Sequence, residues 1–132
     1  VGKPGWGEER PNDRTEFTGW VEEEALSQLY SAASLYLAPS RHEGFGIPVL
    51  EAFRCGAPVI SSCGGALPEV VGDAGVIEAS WDARDWARTI ASTLADSGKL
   101  SAMRAAGFER EKLFTWSKAA AAHEAIYREV CD

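Results

Sequence analysis

Short apolar runs alternate along this chain with stretches of helical periodicity. From Glu22 to Ala33 the apolar residues Leu26, Leu29, Tyr30 and Ala33 recur at helical spacing, behind acidic residues in the first turn. The helix dipole favours acids there, so the pattern predicts a helix. Leu35–Ala38 (LYLA) is a fully apolar strand candidate, closed by Pro39 and Ser40. A second helix is predicted to start near Ile47, where Pro48 suits the first turn; Gly56 and then Pro58 stop it. Residues 58–61 (PVIS) and 74–78 (AGVIE) are two further buried-strand candidates, and 14–18 (RTEFT) is another, ended by Gly19.

The second half of the chain reads as helical. Asp82 with Asp85 resembles a capping box, with Asp in place of Glu, ahead of Trp86, Ile90 and Leu94. That stripe is expected in the core. Leu100, Met103, Gly107 and Leu113 suggest another helix, and Thr115 is placed to cap a last one with Ala119, Ala122, Ile126 and Val130 on one face. The opening VGKPGWGEERPNDR is rich in Gly, Pro and charge and reads as loop, with Val1-Gly2 as the tail of a strand. No internal repeat is visible.

Strands alternating with helices predict an α/β layer with a parallel sheet and flanking helices. In such sheets ligands sit beyond the carboxyl ends of the strands. The strand at 35–38 runs directly into PSRHEGFG, which makes that loop the expected ligand site.

Composition narrows the classes. With 132 residues and 45% apolar content the chain has the size of one domain and enough apolar bulk for a core. A net charge of −7, with its cations scattered, argues against a nucleic-acid partner or an anionic membrane surface. Three cysteines, Cys55, Cys63 and Cys131, without C-x-x-C spacing argue against a disulfide framework or a zinc site; buried free thiols are expected for Cys55 and Cys63. No apolar run reaches the length of a membrane span and no signal-peptide layout is present, so a cytoplasmic setting is expected.

The candidate chemistry lies in EGFGIPVLEAFRCGAPVI, residues 43–60. The first amides of the helix starting near Ile47 lack intrahelical partners and favour an anion. Flanking glycines allow close approach to the backbone. Glu51, one turn after Ile47, points to the same side, and Glu43 ahead of the turn is able to face the same space. Amides with two carboxylates suit a ligand carrying both phosphate and hydroxyls. The plainer reading is a Gly-rich turn before an ordinary helix, since an E-x7-E spacing alone is a weak signal.

The larger pattern is more specific. The stretch FTGWVEEEALSQLYSAASLYLAPSRHEGFGIPVLEAFRCGAPVISSCGGALPEVVGDAGVI, with the later FTWSKAAAAHEAIYREV, resembles the carboxyl-terminal domain of retaining family 4 glycosyltransferases of the GT-B fold. The likeness runs from about Phe17 to Val130. It implies a Rossmann-like donor-binding domain spanning 1–132 and a parent enzyme that transfers a sugar from a nucleotide-diphosphate sugar with retention of configuration. It implies no cofactor and no metal.

The resemblance also assigns roles. Glu43 resembles the catalytic-site Glu that contacts donor-sugar hydroxyls near the reacting carbon, as positioner and electrostatic stabiliser. Gly44, Phe45, Gly46 and Ile47 would offer backbone N–H groups to sugar and diphosphate. Glu51 resembles the Glu that holds the ribose hydroxyls, and Trp20 and Val21 resemble the loop against the base. Glu69 in LPEVVG is expected to tie a loop near the site.

Departures from the family pattern carry their own expectations. The amino-terminal acceptor domain is expected to be absent, and VGKPGW resembles the end of the family's second carboxyl-domain strand. The Arg/Lys pair that grips the diphosphate is then lacking, and Lys3 does not match it. The chain alone is expected to be inactive in transfer. With strands lacking between 15–18 and 35–38, exposed sheet edges would invite self-association. The alternative is a non-catalytic nucleotide-binding or association module derived from this fold.

Overall fold

The computed structural model describes residues 14–131. The expected strand tail at Val1-Gly2, Lys3 and the loop up to Asp13 lie outside the described residues. The elements run α1 (Glu23–Ala32), β1 (Tyr36–Ala38), α2 (Ile47–Arg54), β2 (Val59–Ser62), α3 (Leu67–Val71), a 3-10 turn (Gly72–Ala74), β3 (Val76–Glu78), α4 (Ala83–Leu94), α5 (Ser97–Glu111) and α6 (Trp116–Cys131).

The three strands form one parallel sheet in the order β1-β2-β3. Parallel strands need crossover connections, and α2 and α3 supply them. The central strand β2 is buried along its whole length, as expected of a parallel strand covered on both faces. Ala38 pairs with Ser61, and Ile60 with Val76, which fixes the ends of β1 and β2 side by side.

The core gathers around α2. Val49, Ala52 and Phe53 of that helix are buried with Val59 of β2 and Leu67 and Val71 of α3. Phe53 is 0% exposed, a burial worth about 1.5–3 kcal/mol. The helix α5 packs on this side because Gly107 has no side chain: a Cβ there would lie 2.7 Å from Phe53 Cδ1. Arg104 of α5 donates to the carbonyls of Gly56 and Ala33, and Arg110 donates to those of Glu69 and Val70. These bonds satisfy carbonyls at the ends of α1, α2 and α3 that lack intrahelical donors.

Two helix starts follow the residues predicted for them: Asp82 accepts from the Arg84 N–H at 2.7 Å, and Thr115 Oγ1 from the Lys118 N–H at 3.2 Å. The start of α5 carries a cap the sequence reading did not single out, Asp96, which accepts from the Lys99 N–H at 2.8 Å. Asp85, however, does not complete a capping box. The Asp82 N–H donates to Ser80 Oγ, and Asp85 takes the Ser80 hydroxyl and Arg88 instead. The Trp86, Ile90, Leu94 stripe is also not a core stripe: Trp86 and Ile90 are half-buried, Leu94 is exposed, and Thr93 is the buried residue of α4.

Other expectations are corrected. Residues 15–18 form no strand but an exposed coil, with Phe17 at 47% exposure. A short β-prone stretch without a neighbouring strand has no ladder to join. β1 is an edge of the sheet, and no further strand flanks it among the described residues. Both thiols are free, but Cys55 is only half-buried, packed against the edge of the core, and Cys63 is exposed. LPEVV, for which the sequence predicts no element, forms a one-turn helix with Pro68 near its start.

Candidate functional site

The loop after β1 is built by contacts with the turn after β2. Ser62 Oγ, at the end of β2, donates to Ser40 O at 2.5 Å, and Ala66 N–H donates to Glu43 O at 3.0 Å. Glu43 is half-buried, and its Cγ lies over Gly46, 3.7 Å from where a Cβ would stand. Gly46 caps α2 in the left-handed region with φ 99°, which a side chain would make costly. It is buried under Leu67. Gly44, by contrast, is exposed with open space around it, so its backbone is the accessible one.

The helix start offers fewer amides than its position alone implies. Pro48 has no N–H, and Val49 N–H is committed to Gly46 O at 2.9 Å. An anion at this end would therefore rely on the amides of the loop and of Ile47.

Glu51 sits one turn into α2 and is held from outside the helix. The Tyr30 hydroxyl donates to its Oε2 at 3.2 Å. Burial pushes the Tyr30 hydroxyl well above its usual value of 10.0, with Tyr36 and Glu51 adding to the shift, so it remains a donor. Tyr36, packed edge-to-face on Tyr30 at 5.4 Å, is raised by burial first and then by the charges of Glu51 and Glu43. Neither carboxylate forms an ion pair among the described residues.

Two clefts meet at Glu51. One of about 850 Å³ is walled by Phe45, Ile47 and Leu50 on one side and Phe114 and Trp116 on the other, with Arg54 and Lys118 at its margin. Phe45 meets Phe114 edge-to-face at 6.0 Å. The second, about 540 Å³, lies between α1, β1 and Pro48. Glu43, Gly44 and Gly46 line neither cleft.

Trp20 and Val21 stand in the coil before α1. Trp20 is 71% exposed and Val21 half-buried, and neither lines a cleft. The fold thus brings Phe45, Ile47 and Glu51 together on the larger cleft, and leaves Glu43, Gly44 and Gly46, with Trp20 and Val21, outside its lining. Arg41 lies over the Trp81 ring at 5.1 Å, and His42 is exposed. The Glu69 side chain is exposed on the larger cleft; it is its carbonyl, accepting from Arg110, that ties elements together.

Sequence reasoning missed Tyr30 as the partner of Glu51, and the Ser62–Ala66 turn as the support of Glu43. Tyr30 was visible only as an apolar helix position. The Gly64-Gly65 doublet was a signal of close backbone approach, without indicating to what.

The sequence profile of the family described as "Glycosyl transferases group 1" matches residues 7–110. The chain belongs to the group 1 glycosyltransferases. It is 41% identical over 100 residues to the O-antigen chain mannosyltransferase B of Escherichia coli, covering 76% of this chain and 26% of that protein. It is 40% identical over 105 residues to the D-inositol 3-phosphate glycosyltransferase of Segniliparus rotundus, covering 78% of this chain and 23% of the relative. Its fold superposes on sucrose-phosphate synthase of Thermosynechococcus elongatus with a TM-score of 0.78 at 35% identity, covering 89% of this chain and 30% of the synthase. The parallel sheet with flanking helices is that of GT-B glycosyltransferases. The chain spans about a quarter of the length of these two enzymes. No described helix is long and apolar enough to cross a membrane.

Proposed function

We propose that this group 1 glycosyltransferase chain binds the donor of a retaining transfer, holding a nucleotide-diphosphate sugar at the loop between β1 and α2. The observation that carries this reading is the pair of carboxylates that follow β1, Glu51 held by the Tyr30 hydroxyl and Glu43 on a loop clamped to the turn after β2. Carboxylates without a cation partner are free to accept from hydroxyls, and rigid supports fix where those hydroxyls must lie.

In this reading Glu51 accepts from the ribose hydroxyls and Glu43 from the sugar hydroxyls near the anomeric carbon. Backbone N–H groups of Gly44, Phe45, Gly46 and Ile47 face the sugar and diphosphate, and Trp20 and Val21 adjust to contact the base. During transfer the bond from the anomeric carbon to the diphosphate oxygen breaks. The acceptor hydroxyl oxygen bonds to that carbon on the same face, and its proton passes to the departing diphosphate. Amides at the leaving oxygen stabilise the growing charge, and the Glu43 carboxylate stabilises the positive character at carbon without bonding to it. No metal takes part.

Acceptor binding belongs to a separate domain in this reading, and the cytoplasm supplies the donor. The two enzymes of nearly equal identity carry different substrate names, so the likeness leaves sugar and acceptor open.

Calorimetry on the protein, expressed with all the sequence its gene encodes, tests the reading against a panel of nucleotide sugars. Glu51→Ala is expected to weaken nucleoside-diphosphate binding by about 10- to 100-fold, the value of hydrogen bonds to a charged group. Glu43→Gln is expected to lower turnover while sparing nucleoside-diphosphate affinity. Absence of binding to every nucleotide sugar would sink the proposal.

A further inference from the structure

We infer that the Ser62–Ala66 turn is a positioning clamp that sets the direction of Glu43, with Ser62 and Gly65 as its decisive residues. This rests on the donor-site reading for the importance of Glu43, but the clamp itself is argued from contacts.

Beyond the packing of its Cγ over Gly46, the Glu43 side chain has no polar partner to aim it. Its carboxylate makes no hydrogen bond or ion pair among the described residues, and its neighbours Arg41, His42, Gly44 and Phe45 are all exposed. Its direction is therefore inherited from the main chain of the loop. That main chain is held at two carbonyls, those of Ser40 and Glu43, by one turn. Ser62, 0% exposed at the end of the central strand, donates its hydroxyl to Ser40 O and accepts from Gly64 N–H at 3.2 Å. Ala66 N–H donates to Glu43 O.

The two glycines between them leave no room for anything larger. A Cβ on Gly64 would stand 2.5 Å from Ser40 O and 2.6 Å from Arg41 O. On Gly65, at φ +61°, it would stand 2.2 Å from Glu43 O and 2.8 Å from Glu43 N. These neighbours are backbone atoms and cannot rotate away, so a side chain at Gly64 presses on the main chain of Ser40 and Arg41, and one at Gly65 on that of Glu43 itself. The central strand is the best anchor the fold offers, because it is paired on both sides and fully buried. A buried Ser at the end of such a strand is also expensive unless its hydroxyl is used. Here it joins two loops.

The chemical consequence is separable from stability. Glu51 of α2 is held by Tyr30 of α1, through a contact the clamp does not make. Loosening the clamp should move the sugar contact and leave the ribose contact in place.

Two variants, Ser62→Ala and Gly65→Ala, are compared with the parent protein in two measurements. In hydrogen exchange, the Ala66 amide is expected to exchange about tenfold faster, while amides of α2 and α5 keep their rates. In calorimetry, affinity for the nucleotide sugar is expected to fall about tenfold relative to that for the bare nucleoside diphosphate. Exchange that rises throughout the chain, or affinities that fall together, would show a general structural role and overturn the clamp. Unchanged exchange at Ala66 in Ser62→Ala would overturn it too. If Gly65→Ala fails to fold, Ser62→Ala decides alone. If the parent protein binds no nucleotide, the donor reading fails, and exchange at Ala66 still decides the clamp.

Discussion

The helices α2 and α6 carry the same kind of sequence signal and end in opposite surroundings. In α2, Val49, Ala52 and Phe53 recur at helical spacing and are all buried. In α6, Ala119, Ala122, Ile126 and Val130 recur equally well, yet no residue of the helix is buried; Val130 is 79% exposed. Periodicity reports that a segment is helical and two-faced. Whether the apolar face is covered depends on what packs against it. For α2 that is β2, α3 and α5; for α6 the described residues supply only the lip of the larger cleft.

The largest expected effect is on the covered side. Phe53→Ala empties a fully buried site and should cost about 3–5 kcal/mol in denaturant unfolding. A loss below 1 kcal/mol would mean the α2 face is not the core.

Next comes the contact that lets α5 reach α2. Gly107→Ala places a methyl 2.7 Å from Phe53 Cδ1, and overpacking of this kind costs about 1–3 kcal/mol. Alanine regains about 0.8–1.0 kcal/mol of helix propensity. A net loss of the order of 1 kcal/mol is therefore expected on this balance. Combining it with Phe53→Leu should lose less than the sum of the two, since a smaller ring site relieves the clash. Strict additivity in thermal melts would count against the contact.

A smaller effect should appear in acid, at the corner where β3 meets α4. Thr89 Oγ1 donates to Glu78 Oε2 at 2.5 Å, and Ser80 N–H donates to its Oε1 at 2.9 Å; both hold Glu78 below its usual 4.5, the hydroxyl more strongly. The Ser80 hydroxyl, more than Arg88, holds Asp85 below 3.8. A carboxyl lowered on folding stabilises above its unfolded value and loses that contribution as pH falls through the folded value. Melting temperature should thus decline from about pH 4.5 downward. Thr89→Val should lower it at neutral pH and converge with the parent in acid; a constant gap between the two would refute the assignment.

The same contrast explains what was legible in the chain. Strands at 35–38, 58–61 and 74–78 and the helices around them are marked by local apolar runs, capping Asp and Thr residues, and stops such as Gly56. The placement of Glu43 and Glu51 after β1 followed from strand order and helix phase. What was not legible depends on partners distant in sequence. RTEFT at 14–18 has strand-like residues but no strand beside it. LPEVV is too short to show a period, and Pro68 was its only marker. Tyr30 reaches Glu51, and Ser62 reaches Ser40, across separations that no local pattern encodes.

The smallest effect belongs to α6 and tests the comparison from its exposed side. Ile126→Ala with Val130→Ala removes apolar surface that is already in water, so little burial is lost. Alanine is also the better helix former, by a few tenths of a kcal/mol per site. The pair should therefore shift unfolding free energy by less than about 0.5 kcal/mol, with propensity alone setting the sign upward. Chemical denaturation at two protein concentrations decides it. A loss above about 1 kcal/mol that does not depend on concentration would mean that α6 packs on its own chain. A loss seen only at the higher concentration would mean that a second molecule covers the face.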